Sequence, residues 1–191
     1  MKILIYGGAF DPVHMGHLSV ADNAQTMFGY DRVLFVPCYS SMYGKKMASF
    51  TSRWEMLTRA INDYKNPTFL VSAAEREHPI EGKTYTLLEY LKVKFRDINA
   101  QMDILIGSDT LKHIQNWYEF EKINDEYVFI VMERYGYPIE SKVLKRAFYA
   151  SFHNDFEISS TTTRHQLKTV GTSSLVPQTV EKYIKENNLY I

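Results

Sequence analysis

Two histidines three residues apart, His14 and His17, close the segment Gly7-Gly8-Ala9-Phe10-Asp11-Pro12-Val13-His14-Met15-Gly16-His17, which leaves an apolar run and enters a helical pattern. At that spacing both rings lie on one face of a helix start and can address the same ligand. Glycines let a ligand approach the backbone, and a helix start offers unpaired amides and the positive end of its dipole. The chemistry this suits is the binding of phosphoryl oxygens, by imidazoles that are protonated or act as neutral donors. The segment has neither the GxGxxG spacing of dinucleotide oxidoreductases nor the GxxxxGK[ST] of phosphate-cradling loops, so those two readings lose their main support. The alternatives are a metal pair, for which no third ligand lies at a recognisable spacing, and two ordinary surface histidines.

A second group of the same character is Ile158-Ser159-Ser160-Thr161-Thr162-Thr163-Arg164, ahead of a helical stretch with Leu167 and Val170 that stops at Gly171. Hydroxyls and free amides at a helix start, with an arginine one turn in, make an anion site. The plainer alternative is a Ser/Thr-rich cap.

Both groups need elements to hold them. Short apolar runs, Ile3 to Tyr6, Val33 to Val36, Phe69 to Val71, Ile104 to Ile106, Val128 to Met132 and a weaker one at Phe156 to Ile158, read as buried strands. Between them Leu18, Ala21, Ala24 and Phe28, then Met56, Leu57, Ala60, Ile61 and Tyr64, then Leu87, Leu88, Leu91 and Phe95 fall at helical spacing. Thr86 with Glu89 three residues on forms a capping box, and Pro177 stands at a first helical turn ahead of Val180, Tyr183 and Ile184. Strand and helix in alternation predict an α/β fold, a Rossmann-like doubly wound, mostly parallel sheet with helices on both faces and ligands at the carboxyl ends of the strands. The stretch from Pro37 to Ser52 is the longest loop and a candidate lid.

Composition bounds the partners. The 191 residues are 45% hydrophobic, enough for one sizeable core, so a single domain over 1–191 is expected. Lys plus Arg (22) balance Asp plus Glu (22), which argues against a long nucleic acid or an anionic membrane as partner. The lone Cys38 cannot form an internal disulfide, and the first apolar run is broken by Gly7-Gly8, too short for a membrane span; a cytoplasmic location is expected. Self-association is left open.

With these residues in view, GGAFDPVHMGH resembles the GG(T/S)FDPxHxGH signature of the nicotinate and nicotinamide mononucleotide adenylyltransferases, within the HxGH nucleotidyltransferases. Ala9 stands where Thr or Ser is usual. ISSTTTR resembles the family's ISSTxxR motif, which holds ATP phosphates. Ile106-Gly107-Ser108-Asp109, with Trp117 eight residues beyond Asp109, resembles the IGxDxL…W block, in which Gly and Asp lie against nucleotide and the tryptophan stacks on the pyridine ring. Tyr85-Thr86 resembles the YT pair whose amides face the pyridine substituent. Lys45 and Lys46 stand where the family places a basic residue near phosphate, and Arg134 with Gly136 resembles its RxG segment. GTSSLVPQTVEKYIKENNLY, from Gly171 to Tyr190, resembles the family's C-terminal segment, so the likeness spans the chain.

The resemblance implies transfer of the adenylyl group of ATP to nicotinate or nicotinamide mononucleotide, giving the (deamido-)NAD dinucleotide and pyrophosphate. His17, His14 and Arg164 are the expected catalytic residues. Gly8, Ala9, Phe10, His14, His17, Lys46, Ile158, Ser159, Ser160, Thr161 and Arg164 are expected at ATP, and Tyr85, Thr86, Gly107, Asp109, Trp117 and Arg134 at the mononucleotide. Mg²⁺ is expected with ATP, with no protein side chain as its ligand. Rival readings are a phosphopantetheine adenylyltransferase or a cytidylyltransferase of the same superfamily, and a non-catalytic nucleotide sensor. HMGH and KKMAS are also similar to synthetase signatures, but KKMAS follows the histidines too soon for that order.

Overall fold

The apolar runs become strands because they are covered on both sides. In the computed structural model, which describes residues 1–40, 44, 46–78, 80, 83–140, 143–151 and 158–190, β1 (Lys2–Gly8) pairs in parallel with β2 (Arg32–Pro37) and with β4 (Gln101–Gly107). Ile5 stands opposite Leu34 on one side and Ile104 on the other. β3 (Phe69–Val71) extends the sheet beyond β2, and β5 (Phe129–Met132) and β6 (Ala147–Ala150) extend it beyond β4. All six strands are parallel, in the order β3-β2-β1-β4-β5-β6. The winding therefore reverses between β1 and β4, and a doubly wound sheet binds ligands outside the carboxyl ends of the strands at such a reversal.

Alternation along β1 divides the core. Leu4 packs on one face with Leu18, Ala21 and Ala24 of α1 (Met15–Phe28), Met56, Leu57 and Ala60 of α2 (Phe50–Tyr64), Leu167 of α6 (Ser160–Val170), and Val180 and Ile184 of α7 (Gln178–Glu186). Ile3 and Ile5 pack on the other with Ala74 of the short α3 (Ala74–Glu77), Leu87, Leu88 and Leu91 of α4 (Thr84–Lys94), and Ile123 of α5 (Phe120–Glu126). Strands buried on both faces read as unbroken apolar runs, which is why they were visible in the sequence.

Two expectations need correction. The sixth strand is Ala147–Ala150, not Phe156 to Ile158: Ile158 is outside any strand, and 156 and 157 lie outside the described residues. β6 is a sheet edge with Phe148 56% exposed, so it lacks the continuous apolar signature of a central strand. The capping box at Thr86 and Glu89 is not formed, because α4 begins at Thr84, with Lys83 at the N-cap and no side-chain cap. Thr86 is thus the third helical residue. Pro177 takes the N-cap of α7, one residue ahead of the first helical position.

Candidate active site

β1 delivers its chain to the reversal point, and the loop that follows is shaped by packing beneath it. The Phe10 backbone takes a left-handed conformation (φ 48°), and its ring is buried against Tyr6, Phe35 and His17, with the His17 ring at 5.0 Å. A Cβ on Gly8 would come within 3.1 Å of the Phe10 ring, so only glycine lets the loop close over it.

His14 caps the start of α1 and His17 is the third residue of that helix. The two rings stack at 3.7 Å. The backbone N–H of His14 donates to Nδ1 of His17 at 3.2 Å, which makes Nδ1 the acceptor and leaves Nε2 as the donor of the neutral ring. Burial, with a smaller push from the Arg134 guanidinium, lowers His14 from 6.5 to about 3. Burial, then His14, then Arg134 hold His17 well below the ordinary histidine value. Both rings are therefore neutral donors at physiological pH, which decides the question the spacing left open. Nδ1 of His14 is buried and has no hydrogen-bond partner among the described residues. Gly16 sits between the histidines because a Cβ there would lie 3.1 Å from the His14 ring and 3.2 Å from Ile158.

That Ile158 contact leads to the second group. Ser159 caps α6 by accepting the Thr162 amide at 3.0 Å, so the Ser160 and Thr161 amides remain without intrahelical acceptors. Ser160 Oγ donates to the Pro12 carbonyl at 3.0 Å, and Arg164 donates to the Asp11 carbonyl at 2.6 Å and to Thr161 Oγ1 at 3.2 Å. The bonds to Pro12 and Asp11 join residues 148 and 153 positions apart and fasten the starts of α1 and α6 side by side. The result is a pocket wall with two helix dipoles, two neutral imidazoles and a guanidinium, suited to a polyphosphate.

Arg53 is a residue that motif reading missed. It is 1% exposed and donates to the carbonyls of Ala9 (2.8 Å), Cys38 (2.7 Å), Tyr39 (3.2 Å) and Ala48 (3.0 Å). Four carbonyls from three segments are thus gathered on one guanidinium. A signal was present: Arg53 precedes Met56 and Leu57 by three and four residues, which puts it on the buried stripe of α2. Ala9, lacking the usual hydroxyl, contributes its backbone, and that backbone is the part Arg53 holds.

The end of β4 supplies the other half. A Cβ on Gly107 would collide with Asp109 Oδ1, so glycine lets the carboxylate fold back over the strand end. Asp109 pairs with Arg134 at 2.5 Å, and the buried Ser108 hydroxyl both accepts the Arg134 amide (2.9 Å) and donates to the Tyr137 carbonyl (2.6 Å). Arg134, held by Asp109, adds only a small push to the lowering of both histidines. Trp117 is half-buried in the second core face; beside it Tyr118 meets Tyr85 of α4 edge to face, with ring centroids 6.4 Å apart. Tyr85 and exposed Thr86 are in the first turn of α4, whose amides lack intrahelical acceptors. Lys46 is exposed in the loop from Pro37 to Ser52, two residues before Ala48, whose amide binds Asp11; Lys45 lies outside the described residues.

A doubly wound parallel sheet with two helix starts clasped at its reversal point defines the class: residues 5–166 match the model of the cytidylyltransferase-like family. The chain is 34% identical to the nicotinate-nucleotide adenylyltransferase of Bacillus subtilis over 99% of this chain and 98% of that protein. It is 32% identical to a probable nicotinate-nucleotide adenylyltransferase of Thermus thermophilus over the full length of both. The fold matches Plasmodium falciparum nicotinic acid mononucleotide adenylyltransferase complexed with NaAD at a TM-score of 0.84 and 25% identity, covering 99% of this chain and 97% of that one. The chain belongs to the cytidylyltransferase-like family, as a nucleotidyltransferase of the nicotinate-nucleotide adenylyltransferase kind.

Proposed function

We propose that the chain joins the adenylyl group of ATP to nicotinate mononucleotide, releasing pyrophosphate, as a step of NAD biosynthesis. The observation that carries the reading is the clasp of the α1 and α6 starts around the neutral His14–His17 stack. An oxygen of the mononucleotide 5′-phosphate, dianionic in large part at neutral pH, attacks the α-phosphorus of ATP; the new P–O bond forms as the bond to the β-phosphate oxygen breaks. No proton has to be removed from the nucleophile. Nε2–H of His17 donates to the α-phosphate, His14 and the amides around Gly8 and Phe10 hold the chain of phosphates, and Ser160, Thr161 and Arg164 take the departing pyrophosphate. A Mg²⁺ ion brought by ATP would supply positive charge to offset the leaving group; among the described residues no group of three or more His, Cys, Asp or Glu is placed to hold a metal ion.

The choice of nicotinate over nicotinamide rests on two supports. The characterised relative and the liganded neighbour are both named for the nicotinate substrate. The uncapped start of α4, with no acidic residue in its first turn and Lys83 at its N-cap, favours a carboxylate over a carboxamide near Tyr85 and Thr86. Trp117 offers the pyridine ring its indole face. A cytoplasmic location forms part of the proposal and is supported by the lone cysteine; among the described residues no helix is long and apolar enough to cross a membrane. Steady-state assays with the two mononucleotides test the specificity: nicotinate mononucleotide should have a kcat/KM roughly tenfold or more above that of nicotinamide mononucleotide. Equal or reversed values would refute the assignment of α4.

A further inference from the structure

Asp11 is nearly inaccessible, 2% exposed, and three distant segments meet on it. Its Oδ1 accepts the Ala48 amide at 3.1 Å and the Tyr190 hydroxyl at 2.6 Å, from beyond α7. Its backbone carbonyl accepts Arg164 at 2.6 Å, yet its Oδ2 stays 3.9 Å from the same guanidinium. The carboxylate is thus tethered by its other oxygen and kept out of a tight ion pair with an arginine that faces the nucleotide. We propose that Tyr190 is a positioning residue for ATP: by holding Oδ1 of Asp11 it prevents the carboxylate from closing on Arg164 and so keeps that positive charge available to the phosphates.

Three further features support this role. The Tyr190 backbone is left-handed (φ 63°), a conformation a bulky residue keeps only where its surroundings impose it. Burial, then the hydrogen bond and charge of Asp11, push the phenol far up, so it remains a donor at any working pH. The same C-terminal region grips the site a second time, where the Met15 amide at the start of α1 donates to the Leu175 carbonyl at 2.8 Å. In a low-dielectric pocket a carboxylate released from its donors turns to the nearest cation, and Arg164 is that cation.

The inference rests on the assignment of Arg164 to ATP, and its test separates the two. Tyr190→Phe keeps the ring and removes only the donor. Equilibrium ATP binding measured by calorimetry should weaken about tenfold, the scale of one hydrogen bond to a charged group. KM for ATP should rise in step and kcat should fall with it, because Arg164 also takes the departing pyrophosphate, with KM for nicotinate mononucleotide changed by no more than about twofold. In an Asp11→Asn background, whose amide cannot pair with Arg164, the same change should have little effect on ATP affinity. Unchanged ATP binding in Tyr190→Phe, or a loss spread equally over kcat and both KM values, overturns the role. Absence of turnover in the parent protein would instead overturn the proposed reaction, while the calorimetric comparison would still read the brace.

Discussion

Nδ1 of His17 is already engaged by the His14 amide, which leaves the ring one free donor and no proton to spare. Its role is then stabilisation of charge at the α-phosphate rather than acid–base exchange, and His17→Ala should lower kcat by roughly 100- to 1,000-fold with Tm little changed. A variant with near-parental turnover would contradict this. The buried neutral rings also set a pH dependence. The unfolded chain takes up protons below the ordinary value of 6.5, whereas folded His14 resists down to about 3. Its contribution to stability is therefore complete above about pH 6.5 and is lost as pH falls toward 3. Thermal melts of the ligand-free protein across that window should show a shallower decline for His14→Asn than for the parent; identical slopes would disprove it. Gly16→Ala tests the stack itself: a methyl 3.1 Å from the His14 ring and 3.2 Å from Ile158 must displace one of them. The expected result is a loss of about 1–3 kcal/mol in stability and a fall in kcat. The histidines and Gly7-Gly8 were legible because their types and spacing carry chemistry on the surface of the sequence, and Gly107 and Asp109 were reached only through the family resemblance. Arg53 and Tyr190 were not, because Arg53 acts through backbone carbonyls of three separate segments and Tyr190 through Asp11, 179 residues away in the chain.

At the scale of elements, the proposed reaction assigns phosphate binding to the helix starts, and their caps are testable apart from the ligands. Ser159→Ala removes the acceptor of the Thr162 amide, and should cost about 1 kcal/mol, or roughly 2–4 °C in Tm, while raising KM for ATP. A Tm within error of the parent would show that the cap is not formed. The start and end of α6 were readable from Ser159 and Gly171, because capping chemistry is local. The start of α4 was misplaced by three residues, since a Thr-x-x-Glu pattern describes a cap that the packing of Leu87, Leu88 and Leu91 did not require. β6 escaped for the opposite reason: it is a partly exposed edge strand whose partner, β5, supplies the ladder without an apolar run to announce it.

Across the whole molecule, the sheet order brings Gly8 and Gly107 to adjacent strand ends, and three distant segments are then cinched around them by Arg53. Replacing Arg53 with Met would leave the carbonyls of Ala9, Cys38, Tyr39 and Ala48 without that donor, at a cost on the order of 3 kcal/mol or more, with activity lost alongside. Parental stability in that variant would show that water or neighbouring donors replace it. The doubly wound, mostly parallel sheet was foreseeable from alternation, but the position of the clasp required knowing that residues 11 and 164 meet. The most direct test of the account is pyrophosphate release from ATP and Mg²⁺ with nicotinate mononucleotide, comparing the parent protein with His17→Ala. The account predicts one pyrophosphate per dinucleotide formed and a collapse of turnover in the variant. A folded, ATP-binding parent protein that releases none, or a variant that matches it, would contradict the assignment of this site.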